Sequence, residues 1–249
     1  LISKAQIKHI LSLHNKKNRL EEKLFIVEGT KIVTELIASN TYKIHSIYHT
    51  NSFDITQKDL KKIAFEINEK ELEQISTLSN PNQVLALVHL NEKEIYTIDA
   101  NQCYIALDEI KDPGNMGTII RTAEWFGINT IFCSSTCVEY TNPKVIMASM
   151  GSFLRVKIYY INLEKFLSED LNMPIIGASL QGENLYESTM SKNGLLVIGS
   201  ESHGISKNIE KYITKSIKIP EFGNAESLNA SIANAIIISE WKRQHYGRK

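Results

Sequence analysis

The 249-residue chain has only three cysteines, Cys103, Cys133 and Cys137, and nothing that would complete a metal set around them. Cys133 and Cys137 stand four apart, but no His-x-x-His or second cysteine pair accompanies them, so no metal site is expected. Thiols so few and odd in number argue for free cysteines in a reducing, cytoplasmic compartment, not for a disulfide framework. No apolar run approaches the roughly 20 residues of a membrane span, and the N-terminus lacks the apolar core of a secretory signal. The first residue is Leu1 and not Met, so native residues are expected ahead of it. Net charge is missing too, because 28 basic side chains balance 28 acidic ones. That balance does not exclude a nucleic-acid partner, since binding depends on where the charge sits. Two familiar signatures are also absent. There is no Gly-x-Gly-x-x-Gly dinucleotide fingerprint, and the turn Gly199-Ser200-Glu201 puts Glu201 where a hydrolase elbow needs serine.

What is present reads as an ordinary globular chain, 43% apolar and 22% charged, long enough for one large domain or two modest ones. The first ninety residues alternate short helical and strand patterns. Strands are predicted at Leu24 to Val27, Ile44 to His49 and Val84 to Val88, with a helix capped by Thr30 and another from Glu69 to Leu78. The polar stretch around 93–101 reads as a linker, which divides the chain into domains over 1–92 and 102–249. After it, strands are predicted near 103–107, 130–133, 175–178, 195–199 and 217–219. Helices are predicted near 116–126, 143–150, 206–212 and 228–245. Strands alternating with helices indicate an α/β domain with a mainly parallel sheet. The last helix, with Ile232, Ile236, Ile237 and Ile238, has almost no polar face before Trp241, so it belongs in a core or in a subunit interface. Basic residues collect at both ends: Lys4, Lys8, Lys16, Lys17, Arg19 and Lys23 at the start, and Lys242, Arg243, Arg248 and Lys249 in the tail. Such runs are either solvated faces or a footprint for phosphates.

Three polar motifs follow predicted strands. In Asp112-Pro113-Gly114-Asn115-Met116-Gly117, Asn115 is placed to cap a helix, and Arg121 follows about two turns later. A purely structural reading makes Arg121 a surface partner of Glu124. Gly199-Ser200-Glu201-Ser202-His203-Gly204 is a glycine-rich turn, which is either an ordinary strand-to-helix loop or a close backbone approach to a ligand. In Glu226-Ser227-Leu228-Asn229-Ala230-Ser231, Ser227 suits an N-cap. Asn229 opens an otherwise apolar helix and needs partners for its amide.

In order and spacing these three motifs resemble those of the SpoU-like, TrmH-type RNA 2′-O-ribose methyltransferases of the knotted SPOUT superfamily. The resemblance covers about 107–241, and Phe25-Ile26-Val27-Glu28-Gly29 resembles the opening of the small α/β substrate-binding domain that many members carry in front. It implies a C-terminal α/β knot, a Rossmann-like parallel sheet threaded into a trefoil, that binds S-adenosylmethionine and works as a homodimer. Carried over by position, Ser179, Gly199, Ile219 and Leu228 would line the cofactor pocket. Arg121 matches the family's catalytic arginine, and Asn115, Glu201, Ser227 and Asn229 would orient it, the ribose and the adjacent phosphate. An arginine stays protonated, so stabilising a developing alkoxide suits it better than acting as a base. The implied partner is RNA, ribosomal ahead of transfer RNA, gripped at Lys8, Lys16, Lys17 and Arg19. Methylation of an RNA base, or RNA binding without catalysis, is the alternative.

Overall fold

The computed structural model describes residues 2–78, 81–92 and 95–246. Lys93 and Glu94 of the expected linker, and Arg248 and Lys249 of the basic tail, lie outside the described residues. The chain forms two compact units, Leu1–Glu94 with Thr141–Leu154, and Ile95–Tyr140 with Arg155–Lys249.

The first unit opens with α1 (Lys4–Ser12), started by a capping box between Ser3 and Gln6, and α2 (Lys16–Glu22). There follow β1 (Leu24–Glu28), α3 (Thr30–Ser39), β2 (Ile44–His49), β3 (Ala64–Glu66), α4 (Glu69–Ile75) and β4 (Val84–His89). The sheet order is β1-β4-β2-β3, antiparallel except for the β2–β3 pair. β1 is buried along its whole length, because both faces of the sheet are covered. Ile26 packs with Ile10, Leu13, Leu72 and Leu85. Phe25, on the other face, meets Tyr42 and Phe153 edge-on. The carboxylate of Glu28 accepts from the Thr77 N–H and hydroxyl at 3.1 and 3.0 Å and so holds the turn after α4. Thr30 does not cap α3; Gly29 occupies that position and Thr30 is the first helical residue.

The second unit begins with β5 (Cys103–Leu107), α5 (Pro113–Trp125) and β6 (Thr130–Ser134). The next helix, α6 (Pro143–Ser149), belongs to the first unit, where it packs against β1. The chain then returns through β7 (Lys157–Ile161), α7 (Leu163–Leu167), β8 (Ile175–Asn184), β9 (Gly194–Ile198), α8 (Lys207–Glu210), β10 (Lys215–Lys218) and α9 (Ala230–His245). Six strands form one sheet in the order β10-β8-β9-β5-β6-β7, and every pair is parallel. Its core gathers Ala106, Phe132, Val197, Leu195, Phe166 and Ile209. Tyr96, from the expected linker, stands edge-on to Phe132 and so is part of this core. β7, absent from the predicted strands, lies at the sheet edge and is only half-buried. β8 runs past its predicted end. It pairs with β10 at Ile176 and Gly177, leaves it, and rejoins at Glu183 and Asn184. Gly182 makes that return possible, since a Cβ there would lie 2.5 Å from the Ile217 nitrogen. Among the described residues no helix is long and apolar enough to cross a membrane.

Candidate active site

In a parallel sheet all strands end on one edge, and ligands bind where connections leave to opposite sides. Here that point lies between β5 and β9. β5 is followed by its neighbour β6 on one side, while β9 flanks it on the other. The loop leaving β5 is pinned at each of its first three amides. Asp108 N–H donates to the Ile198 carbonyl at 2.9 Å, Glu109 N–H to Ser134 Oγ at 3.0 Å, and Ile110 N–H to Cys137 Sγ at 3.3 Å. The Cys137 thiol donates back to the Leu107 carbonyl at 3.3 Å, and neighbouring Cys133 helps to lower its pKa to about 7. Glu109 turns the chain with φ 57°, and Asp112 then caps α5 by accepting from Asn115 N–H at 2.8 Å.

The loop leaving β9 folds back on itself. Ser200 and Gly204 exchange two backbone hydrogen bonds of 3.0 and 2.9 Å. Gly199 has to be glycine, because a Cβ would run into the backbone of Gly204 and Ile205. The buried carboxylate of Asp108 accepts from Ser206 N–H at 2.8 Å and anchors the far end of this loop to β5. Glu201 is thereby presented to α5 and α9. Its Oε1 accepts from Asn115 Nδ2 and, at 2.8 Å, from Asn229 Nδ2; Asn229 Nδ2 also donates to Asn115 Oδ1 at 2.8 Å. Asn229 Oδ1 accepts from the amides of Ser231 and Ile232, which makes Asn229 the N-cap of α9. Three residues from three separate elements therefore close one ring at the switch point. Only one oxygen of the Glu201 carboxylate is spent in it, so the site can orient a polar ligand group.

Several expectations are corrected. Asn115 does not cap α5; Asp112 does, because Pro113 suits the first helical position. Ser227 is exposed and does not cap α9, nor does it join the ring. Asn229 is exposed and not buried, yet its amide is fully partnered. Arg121 lies on the exposed side of α5, and no hydrogen bond or ion pair joins it to another described residue. The purely structural reading of Arg121 fails, because the partner of Glu124 is Arg155, whose Nη2 donates at 3.2 Å. Arg19 is 1% exposed, and its Nη1 donates to the Leu13 and His14 carbonyls at 2.9 and 2.8 Å. It closes the C-terminus of α1 and is not presented to phosphates, whereas Lys8, Lys16 and Lys17 are exposed. Ser179 sits in the β8 excursion, Ile219 follows β10, and Leu228, 43% exposed, precedes α9. Asp108 was not singled out from the sequence, and Cys137 was read there only as a free thiol. A buried Asp at the end of an apolar strand was the available signal for the first; nothing local marks the second.

Comparison with known proteins adds family information. Residues 102–239 match the SpoU rRNA Methylase family, and residues 4–86 match the MRM3-like substrate binding domain. A 23S rRNA (guanosine(2553)-2′-O)-methyltransferase of Bacillus subtilis is 25% identical over 94% of this chain and 94% of its own length. Among solved structures, one described as an RNA methyltransferase of the TrmH family from Porphyromonas gingivalis is 34% identical, with a TM-score of 0.88 over 98% of this chain and 99% of that one. An rRNA methyltransferase from Sinorhizobium meliloti, solved with AdoMet bound, is 26% identical, with a TM-score of 0.84 over 98% of this chain and 97% of that one.

Proposed function

The chain belongs to the SpoU rRNA methylase family, and from that premise we propose that it methylates a ribose 2′-hydroxyl of RNA, ribosomal RNA ahead of transfer RNA, with S-adenosylmethionine as the donor. The observation that carries this reading is the Asn115–Glu201–Asn229 ring at the switch point of a parallel sheet. The donor supplies an already activated methyl group, so the protein's task is mainly positioning. Ser179 in the β8 excursion, Gly199 and Ile219 directly after β9 and β10, and Leu228 before α9 are the residues assigned to hold it. Their chemistry fits: Leu228 and half-buried Ile219 offer apolar surface to an adenine, and the Ser179 hydroxyl a polar contact. The family's knot, with the chain after β10 threaded through a loop, belongs to the same proposal.

Asn229 spends its whole amide on the ring, which fixes the free Glu201 oxygen and the second Asn115 Nδ2 hydrogen, so a ribose meets an acceptor and a donor that need no reorganisation. Arg121, on the exposed side of α5 and unpaired among the described residues, supplies a cation for the oxygen that becomes negative as its proton leaves. Ser227, exposed before α9, is assigned to the adjacent phosphate. Lys8, Lys16 and Lys17 hold RNA through its backbone. A reducing cytoplasm fits the free thiols Cys103, Cys133 and Cys137.

The test is transfer of labelled methyl from S-adenosylmethionine to protein-free ribosomal RNA and to transfer RNA, followed by digestion to nucleosides. Label in 2′-O-methyl nucleosides is the expected result. Label on a base, or RNA binding with no transfer, would overturn the reaction proposed.

A further inference from the structure

We infer that Trp125 is a stacking platform for a nucleobase beside the ribose held at Arg121, an inference that rests on the reaction proposed above. Trp125 ends α5 and is 84% exposed. The chain's other tryptophan, Trp241, is 0% exposed, with its Nε1 bonded to the Ser191 carbonyl at 2.6 Å. The indole of Trp125 has neither cover nor a ring or cation contact with another described residue. Leaving so large an apolar surface in water forgoes one of the larger burial gains a side chain offers.

Its position gives the exposure a direction. Gly114, Thr118, Arg121 and Trp125 are exposed along one side of α5, while Met116, Ile119, Ile120 and Ala123 face the core. Arg121 and Trp125 are four residues apart, one above the other on a helix and about 6 Å apart along its axis. Helical side chains lean toward the N-terminus, so Arg121 reaches toward the end of α5 that carries Asn115, and Trp125 covers the next turn outward. A cation for the reacting ribose followed by a flat aromatic one turn away matches the chemistry of a nucleotide followed by a neighbouring base. Aromatic faces accept unstacked bases of any identity, whereas a protein partner would meet an isolated ring beside an unpaired arginine.

Both tryptophans fluoresce, but only Trp125 is open to a neutral quencher. Acrylamide quenching of the full chain, with and without protein-free ribosomal RNA, therefore reports on this residue alone. RNA is expected to protect it, and Trp125→Phe should remove the quenchable signal. Trp125→Ala should weaken RNA binding and raise KM for RNA roughly 5- to 100-fold, the range of one lost base stack. S-adenosylmethionine affinity and kcat should stay within about threefold, and Trp125→Phe should bind RNA almost as wild type does. An Ala variant with wild-type KM, in a preparation that methylates RNA normally, overturns the stacking role alone. Protection that grows with protein concentration in the absence of RNA overturns it in favour of a second copy of the chain. If the wild-type protein neither binds nor methylates RNA, the proposed reaction fails first and the platform falls with it.

Discussion

Arg121 stands on the exposed side of α5 without a partner among the described residues. An unpaired, solvated arginine contributes little to stability, so its removal should show in the reaction and not in the fold. Arg121→Ala is expected to lower single-turnover methyl transfer by about 100-fold or more, the usual cost of losing a donor to a developing oxyanion. Tm and S-adenosylmethionine affinity should change little. Arg121→Lys should recover only part of the rate, because an ammonium cannot reproduce the planar fork. A rate within fivefold of wild type for the Ala variant would remove Arg121 from the reaction. Arg19 is the contrasting case. Its charge is legible in a basic segment, but its burial against the end of α1 is not, because nothing within that segment says that the carbonyls of Leu13 and His14 will lack other donors.

At the scale of elements, the loop from Gly199 to Ser206 is the clearest case of local necessity. A side chain at Gly199 would strike the backbone of Gly204 and Ile205 before it met any ligand. Gly199→Ala is therefore expected to open the Ser200–Gly204 bonds, to displace Glu201, and to lower Tm together with S-adenosylmethionine affinity. Calorimetric titration alongside thermal melting checks this; lost affinity at an unchanged Tm would restore a purely steric role in the pocket. In the first unit, β2 and β4 bring His45 and His89 edge-to-face at 5.2 Å. Burial is the main cause that holds His89 below its ordinary pKa, with His45 and Lys43 adding repulsion. The neutral ring is thus favoured in the folded state, so stability is complete above about pH 6.5 and is lost as pH falls below it, where the unfolded chain takes up the proton more readily. Tm should fall between pH 7 and 5, and His89→Gln should flatten that fall; an unchanged slope would exclude His89 as its source.

For the molecule as a whole, α9 has two apolar sides. Ile237, Ile238 and Trp241 are buried in the second unit, while Ile232 is 51% exposed and Ile236, about one turn on, is half-buried. Apolar residues left uncovered on one side of a helix whose other side is already buried suit an interface with a second copy. We expect a homodimer, seen by sedimentation at micromolar concentration as a species of twice the chain mass. Ile232→Glu should shift it toward monomer without lowering the Tm of the monomer. Sedimentation of the wild-type chain as a monomer under those conditions would exclude this assembly.

The sequence by itself determined what depends on near neighbours. Continuous apolar runs mark β1, β4, β5 and β9, and glycine or proline marks the loops that leave β1, β5 and β9. Motif order also singled out Asn115, Glu201 and Asn229. Weak or short signals were lost: β7 is half-buried at an edge, and α7 has five residues, too few to show a period. Cap assignments slipped for a related reason. Asp112 and Asn115, or Ser227 and Asn229, are equally able to cap when read alone, and local preference cannot say which of two candidates will be drawn elsewhere. Only the tertiary structure decided that. Asn115 bonds Glu201 across 86 residues and Asn229 bonds Asn115 across 114, and the spare capping group of α5 became a member of the ring. Such bonds form because a parallel sheet brings distant strand ends to one edge, a result of pairing along the whole chain that no stretch of neighbouring residues contains.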